Sequence, residues 1–277
     1  MITIERRVVG VLPYKTIYFP AQSKIQGIIE GLTATEMTSC LYTPIDLEPN
    51  YRTVSQNRNS TVWLDLSKSL ETLWEAMRAT CRNEIRRAEK LRDRITIRYN
   101  GVQATRDFLT LFGDLERLNK KVSLFNASRR LDLLRGNVGT FVLYFDGCPQ
   151  CGHAVLQDIE ARRARLLYSA NRRLQEPNRA ALFGYLNRYL HWHEIQHYRR
   201  QGFHMYDLGG IHQNIPGITH FKMSFGGAVV HEFSYLCAGS RVLTQAAKGF
   251  EFLTAHLSGW QKRGRYPASF PSFPAVC

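Results

Sequence analysis

No stretch of the 277-residue chain approaches the ~18 consecutive apolar residues that would cross a bilayer as a helix. The opening segment Met1–Arg7 also lacks the apolar core of a secretory leader, so a cytoplasmic setting is expected. Cysteine is scarce: six thiols at 40, 81, 148, 151, 237 and 277 are too few and too scattered for a dense disulfide framework and point to reduced side chains. The one close pair, Cys148-Pro149-Gln150-Cys151, lies between two alternating apolar runs. It reads as a hairpin turn, with half a zinc site or a redox pair as the alternatives. Acidic residues are in short supply too, 23 Asp and Glu against 37 Lys and Arg, which leaves a formal charge of +14. So basic a chain attracts polyanions, and nucleic acid is the expected partner, against the plainer reading of charge kept for solubility. Lysine itself is rare, 9 against 28 arginines. The planar guanidinium suits phosphate oxygens better than a point charge does.

What is present is an ordinary globular composition, 44% hydrophobic, enough for one large core or two modest ones. Residues 1–60 read as short strands at Val8–Leu12 and Thr16–Phe19, a helical pattern through Ile25–Leu32 and Met37, and a polar loop over Glu48–Ser60. Thr61–Leu66 alternates like a strand, and Ser67 can cap one continuous helix with apolar positions at Leu70, Leu73, Trp74, Met77, Cys81, Ile85 and Ala88. Ile95–Tyr99 is a strand, Arg106–Lys121 a helix, and another helix precedes Gly136. Three strands follow as a meander, Thr140–Phe145, Gly152–Gln157 and Arg165–Ser169. A helix over Asn178–Gln201, a strand Met205–Leu208, a short helix carrying Phe221 and Lys222, and a strand Ala228–Leu236 come next. The chain closes with a helix Val242–Leu257 and an irregular proline-rich tail from Arg265.

Chemistry concentrates between Tyr206 and Gly227. Two Gly-Gly pairs, Gly209-Gly210 and Gly226-Gly227, frame a short segment with one lysine between aromatic rings, His220-Phe221-Lys222-Met223-Ser224-Phe225. Paired glycines let backbone come close to a ligand beside a fixed positive charge, so this stretch is the candidate reaction centre. A competing motif is His193-Glu194-Ile195-Gln196-His197, which on a helix sets two imidazoles one turn apart beside a carboxylate. No third ligand follows at the usual spacing, and the next glutamate is Glu232. Ordinary helix histidines are the expectation there, with no metal and no cofactor.

The run Tyr206-Asp207-Leu208-Gly209-Gly210 and the later Phe221-Lys222-Met223-Ser224-Phe225-Gly226-Gly227 resemble one signature of the FemXAB family, aminoacyl-tRNA-dependent peptidyltransferases built from acetyltransferase-like (GNAT) domains. The helix Arg82-Asn83-Glu84-Ile85-Arg86-Arg87-Ala88-Glu89-Lys90 resembles the other. The resemblance covers residues 60–237 and implies an α/β, GNAT-like fold with a mixed sheet. One complete catalytic domain would span 94–237, and a reduced GNAT-like partner would span 1–93, with 238–277 available to complete it. It further implies transfer of an amino acid from aminoacyl-tRNA to the amine of a small acceptor: a peptidoglycan precursor, or a peptide or amine intermediate of a secondary metabolite. A GNAT-type N-acyltransferase using acyl-CoA or a carrier-bound acyl group, and an RNA-binding protein without catalysis, remain open.

In that frame Lys222 stabilises the developing oxyanion or the leaving group, with a plain surface lysine as the alternative. Phe221 stacks on the terminal base or ribose, or is ordinary core. Asp207 orients the attacking amine or caps the next turn; Tyr206, Tyr168 and Asn171 line a donor pocket. Arg172, Arg173 and Arg179 grip the acceptor stem or are merely solvated, as are Arg82, Arg86 and Arg87 on their helix face. The turn over residues 169–179 has no glycine with which to wrap a pyrophosphate on backbone N–H groups, which weighs against coenzyme A.

Overall fold

The computed structural model describes residues 1–8, 12–118, 131–134, 136–211 and 216–259. The expected helix before Gly136 falls mainly on residues 119–130, and the tail from Arg265 also lies outside the described residues. The chain divides into two compact units, one formed by the first 59 residues together with those from His231 onward, the other by Ser60–Val230.

In the first unit, strands β1 (Ile2–Val8) and β2 (Leu12–Tyr18) pair antiparallel as a hairpin. Helix α1 (Gln22–Glu30) then crosses over to β3 (Met37–Thr43), which lies parallel to β2. Met37 therefore opens a strand rather than extending a helical pattern. The run Met37–Leu41 is buried residue after residue, as a strand paired on both sides requires. Ile25 and Ile29 of α1 pack on Ile17, Cys40, Phe233 and Tyr235. The polar stretch after Glu48 is a loop only as far as Arg52, and β4 runs Thr53–Asp65. Its polar side chains hide a paired backbone. Asn50 tightens the entry by accepting from the Arg52 N–H at 2.9 Å, while the Arg52 guanidinium closes the carbonyl end of α1, donating to Ile29, Glu30 and Leu32 at 2.8 to 3.1 Å.

The second unit begins where β4 turns apolar. The expected continuous helix is two, α2 (Leu70–Ala76) and α3 (Ala79–Glu89), because Met77 and Arg78 are both extended, with ψ of 145°. Ser69 rather than Ser67 caps α2, accepting from the Thr72 N–H at 3.2 Å. After β5 (Ile95–Tyr99), α4 spans Val102–Leu118. The meander is β6 (Val138–Phe145), β7 (Cys148–Asp158) and β8 (Arg163–Asn171). Its first turn is made by Asp146 and Gly147, both at positive φ, 52° and 76°. This is the Asp-Gly pair that suits a two-residue hairpin, and it leaves Cys148 and Cys151 inside β7 rather than in the turn. Helix α5 (Ala180–Arg200), β9 (Met205–Ile211), α6 (Pro216–Met223) and β10 (Ala228–Ala238) follow, and α7 (Arg241–Gly259) packs in the first unit.

Within this unit the strands lie in the order β4-β9-β8-β7-β6-β5, with β8 and β9 parallel and the other pairs antiparallel. Period-two alternation gives the sheet two apolar faces. On one, Phe141, Leu143, Cys151 and Val155 meet Cys81 and Ile85 of α3 and Leu186, Leu190 and Ile195 of α5. On the other, Val142, Tyr144, Ala154 and Ala170 meet Ala104, Phe108 and Leu111 of α4. Since α2 and α3 share the core of the meander, the compact unit that holds it opens at Ser60 and closes at Val230. No helix among the described residues is long and apolar enough to cross a membrane.

Candidate active site at the fork between β8 and β9

Parallel pairing between β8 and β9 covers three residue pairs, Arg163 with Met205, Ala164 with Tyr206, and Arg165 with Asp207. Beyond them Leu166–Asn171 and Leu208–Ile211 run on without ladder partners across the gap. The strands fork there, and backbone donors and acceptors in a fork are available to an extended ligand bearing an amide or ester. Gly209 sits at the opening with φ of +77°, and a Cβ there would come within 2.9 Å of the Leu166 carbonyl oxygen and 3.4 Å of Lys222 Nζ. The Lys222 ammonium, half-buried on α6, donates to the Gly210 carbonyl at 2.7 Å. Lysine, first glycine pair and fork are thus one constellation. The second pair serves packing: a Cβ on Gly226 would lie 2.2 Å from the Ala76 carbonyl oxygen, and one on Gly227 2.6 Å from that of Trp63.

Phe221 lies beside Lys222, but its neighbours are protein. The Arg188 guanidinium lies over its ring at 4.6 Å, and the rings of His191 and Phe225 lie 5.6 and 5.5 Å away. Arg188, which the sequence reading passed over, is held by Glu84 on α3 at 2.7 Å and brings a second fixed cation to the lysine's neighbourhood.

Asp207 is fully buried and accepts from five donors: the Thr61 hydroxyl, Trp63 Nε1 at 3.1 Å, Arg163 Nη2 at 3.1 Å, Arg165 Nη1 at 2.5 Å and the Gly209 N–H at 2.8 Å. Burial would raise its pKa, but the two guanidiniums and the hydrogen bonds hold it below the ordinary value. An acid so engaged anchors the fork and the Gly209 turn, and no oxygen is left to orient an amine. Tyr206 is likewise fully buried, its hydroxyl on Glu194, so it lines no pocket. Tyr168 turns to the α4 face, 4.9 Å from the Phe112 ring, away from the face that Phe221 packs on. Asn171 caps the 3-10 turn Arg172–Leu174 by accepting from the Arg173 N–H at 3.0 Å. The three residues expected to line a donor pocket, Tyr206, Tyr168 and Asn171, are therefore dispersed.

The arginines divide in the same way. Arg82 closes the end of α2, donating to the carbonyls of Trp74, Glu75 and Met77. Arg179 pairs with Glu176 at 2.7 Å and Arg172 with the same carboxylate at 4.0 Å. Arg173, Arg86 and Arg87 are exposed. Arg86 lies over Trp74 and Arg87 over Tyr185, at 5.4 and 5.2 Å, which spreads their charge on rigid aromatic supports.

The His-Glu-x-x-His pattern does not converge. His193 and His197 lie against Phe141, with His197 also 4.4 Å from Tyr99, and burial pushes both pKa values down. Glu194 turns instead toward His153 and His191.

No family model matches the chain, and no curated protein matches it. Solved structures do, at low identity. FemX superposes with a TM-score of 0.59 and 12% identity, over 88% of this chain and 85% of that one. L-PGS from Bacillus licheniformis gives 0.52 and 11%, over 91% and 84%. A conserved protein of unknown function from Bacteroides thetaiotaomicron gives 0.52 and 11%, over 85% and 82%. At these identities the likeness is one of fold, and the fold is GNAT-like, as the resemblance implied.

Proposed function

We propose that the protein moves an aminoacyl group from the 3′ end of a charged tRNA to the amine of a small acceptor, a peptidoglycan precursor or a peptide or amine intermediate of a secondary metabolite. The carrying observation is the Lys222 ammonium at the mouth of the β8/β9 fork, 3.4 Å from where a Cβ on Gly209 would stand and bonded to the Gly210 carbonyl. An aminoacyl ester is already activated. The acceptor nitrogen attacks the ester carbonyl, negative charge collects on its oxygen, the C–O bond to the ribose breaks, and the amine proton passes to the departing hydroxyl. A fixed cation beside that oxygen lowers the barrier, and the fork holds the acyl part by its backbone. The likeness of fold to FemX supports this choice among GNAT chemistries.

The segment after β8 supports a tRNA-borne donor. It forms two 3-10 turns carrying Arg172, Arg173 and Arg179 rather than a glycine loop, and such side chains suit the separated phosphates of a nucleic-acid strand better than one pyrophosphate. The test is incubation with a pool of charged tRNAs and candidate amines, read by mass spectrometry, with ribonuclease and acyl-CoA arms. An amide product lost on ribonuclease treatment supports the reading. Product formed from acyl-CoA and indifferent to ribonuclease replaces it with the N-acyltransferase, and RNA binding without product under any donor replaces it with a non-catalytic binder.

A further inference from the structure

Beneath the Phe221 ring is a polar cluster that the proposed reaction does not use. His153 on β7 and His191 and Glu194, one turn apart on α5, are 0, 1 and 0% exposed. Their ligand atoms lie within 4.8 Å of one another, the one such group of three among the described residues. His153 Nδ1 is 2.7 Å from Glu194 Oε1, and His191 Nδ1 is 3.4 Å from Oε2 and 3.3 Å from the Tyr206 hydroxyl. The second nitrogen of His153 faces Asn187 Oδ1 at 3.0 Å, and the Tyr206 hydroxyl donates to Glu194 Oε2.

Hydrogen accounting makes the cluster unusual. With Nε2–H donating to Asn187, a neutral His153 points the Nδ1 lone pair straight at a carboxylate oxygen. The other neutral tautomer, with Nδ1–H on Glu194, needs the Asn187 amide turned so that its NH2 faces Nε2, and a metal ion held by Nδ1 and the carboxylate is the alternative that leaves Asn187 as it stands. Two imidazoles and a carboxylate supply three of a tetrahedral zinc ion's four positions, and donors at ~2.0–2.1 Å from the ion stand roughly 3.3 Å apart, near the 3.4 Å between His191 Nδ1 and Oε2 and wider than the 2.7 Å between His153 Nδ1 and Oε1, which would open on binding. The surroundings fit a ligand shell too: Asn187 lies at the second nitrogen of His153, and Tyr206 bonds the carboxylate.

We propose that His153 Nδ1, His191 Nδ1 and Glu194 supply three of the four positions of a zinc ion that ties β7 to α5, with Asn187 and Tyr206 as outer-sphere supports. Closed to solvent, it is taken up on folding and exchanges slowly. It stands independently of aminoacyl transfer. The test is metal analysis and native mass spectrometry of the full chain, expressed in zinc-supplemented medium and purified without chelator. About one zinc per chain is expected, with a lower melting temperature after refolding in chelator that zinc restores. Glu194→Gln should lose the ion, while His197→Asn, on the competing motif, should keep it. If Glu194→Gln does not fold, the wild-type metal content decides alone. Metal-free wild-type protein with the same melting temperature whether refolded with or without zinc overturns the proposal in favour of a proton-bridged pair. Zinc lost on His197→Asn but kept on Glu194→Gln overturns it in favour of the helix motif.

Discussion

Neighbouring residues of the same signature do different work. Lys222 faces the fork, whereas Asp207, fifteen positions earlier, is sealed beneath it. Lys222→Ala should cut kcat/KM by about a hundredfold or more, the usual cost of one oxyanion-stabilising donor, with an unchanged unfolding midpoint. Lys222→Arg, keeping the charge but not its placement, should recover part of the loss. Asp207→Ala should act on stability instead, because it strands two guanidiniums in the interior. Roughly 3–5 kcal/mol should disappear from urea denaturation. The pH dependence has a definite sign. Asp207 has a folded pKa below its ordinary 3.8, so its stabilisation is complete above that ordinary value and is lost as pH falls through the lowered one. Asp207→Asn should flatten that acid limb of the stability curve; a limb of unchanged depth would mean that the carboxylate is not ionised in the fold.

At the scale of elements, the joints carry the information. The break between α2 and α3 lets the Arg78 N–H reach the Ser224 carbonyl at 2.9 Å, which ties α3 to the end of α6. Gly226 makes the same joint possible from the other side, with φ of +80° and no room for a Cβ against Ala76. Gly226→Ala combines backbone strain with a clash and should cost about 2 kcal/mol or more in equilibrium unfolding. Gly226 thus reads as a packing glycine, while Gly209 guards the fork. Arg82 belongs to a joint as well. Arg82→Ala should lower stability by roughly 1–2 kcal/mol, since three helix-end carbonyls lose their charged donor, with little effect on RNA affinity. Arg173→Ala should do the reverse. A matching loss of affinity in both variants, measured by filter binding, would return Arg82 to the nucleic-acid surface.

At the scale of the whole molecule, the net charge of +14 sets the expectation for binding. Affinity for tRNA should fall linearly on a log–log plot against salt, and each phosphate-contacting arginine removed should lower the slope by about 0.7–1. An affinity indifferent to salt between about 50 and 200 mM would remove tRNA as the donor carrier, whatever the fold.

Local pattern was enough for what local physics controls. Alternating apolar residues specified the meander, 3.6-residue spacing marked the stretch from Leu70 to Ala88 as helical, and the crowding of glycine, lysine and aromatic residues from Tyr206 to Gly227 marked the segment that reaches the fork. Polar composition misled where pairing rather than burial holds the chain, as in the first half of β4, and a continuous apolar stripe concealed the break at Met77. Which side chains meet is a long-range matter. Nothing in sequence spacing says that Asp207 spends its oxygens on Thr61, Trp63, Arg163 and Arg165, or that Glu194 leaves its own motif for His153, because those partners lie 41 to 146 residues away and strand register brings them together. The sequence alone determined the order of elements and the charged lysine segment. The tertiary structure decided which of its polar groups lie at the fork and which are consumed in holding it together, since a buried charge must find its partners wherever the fold places them.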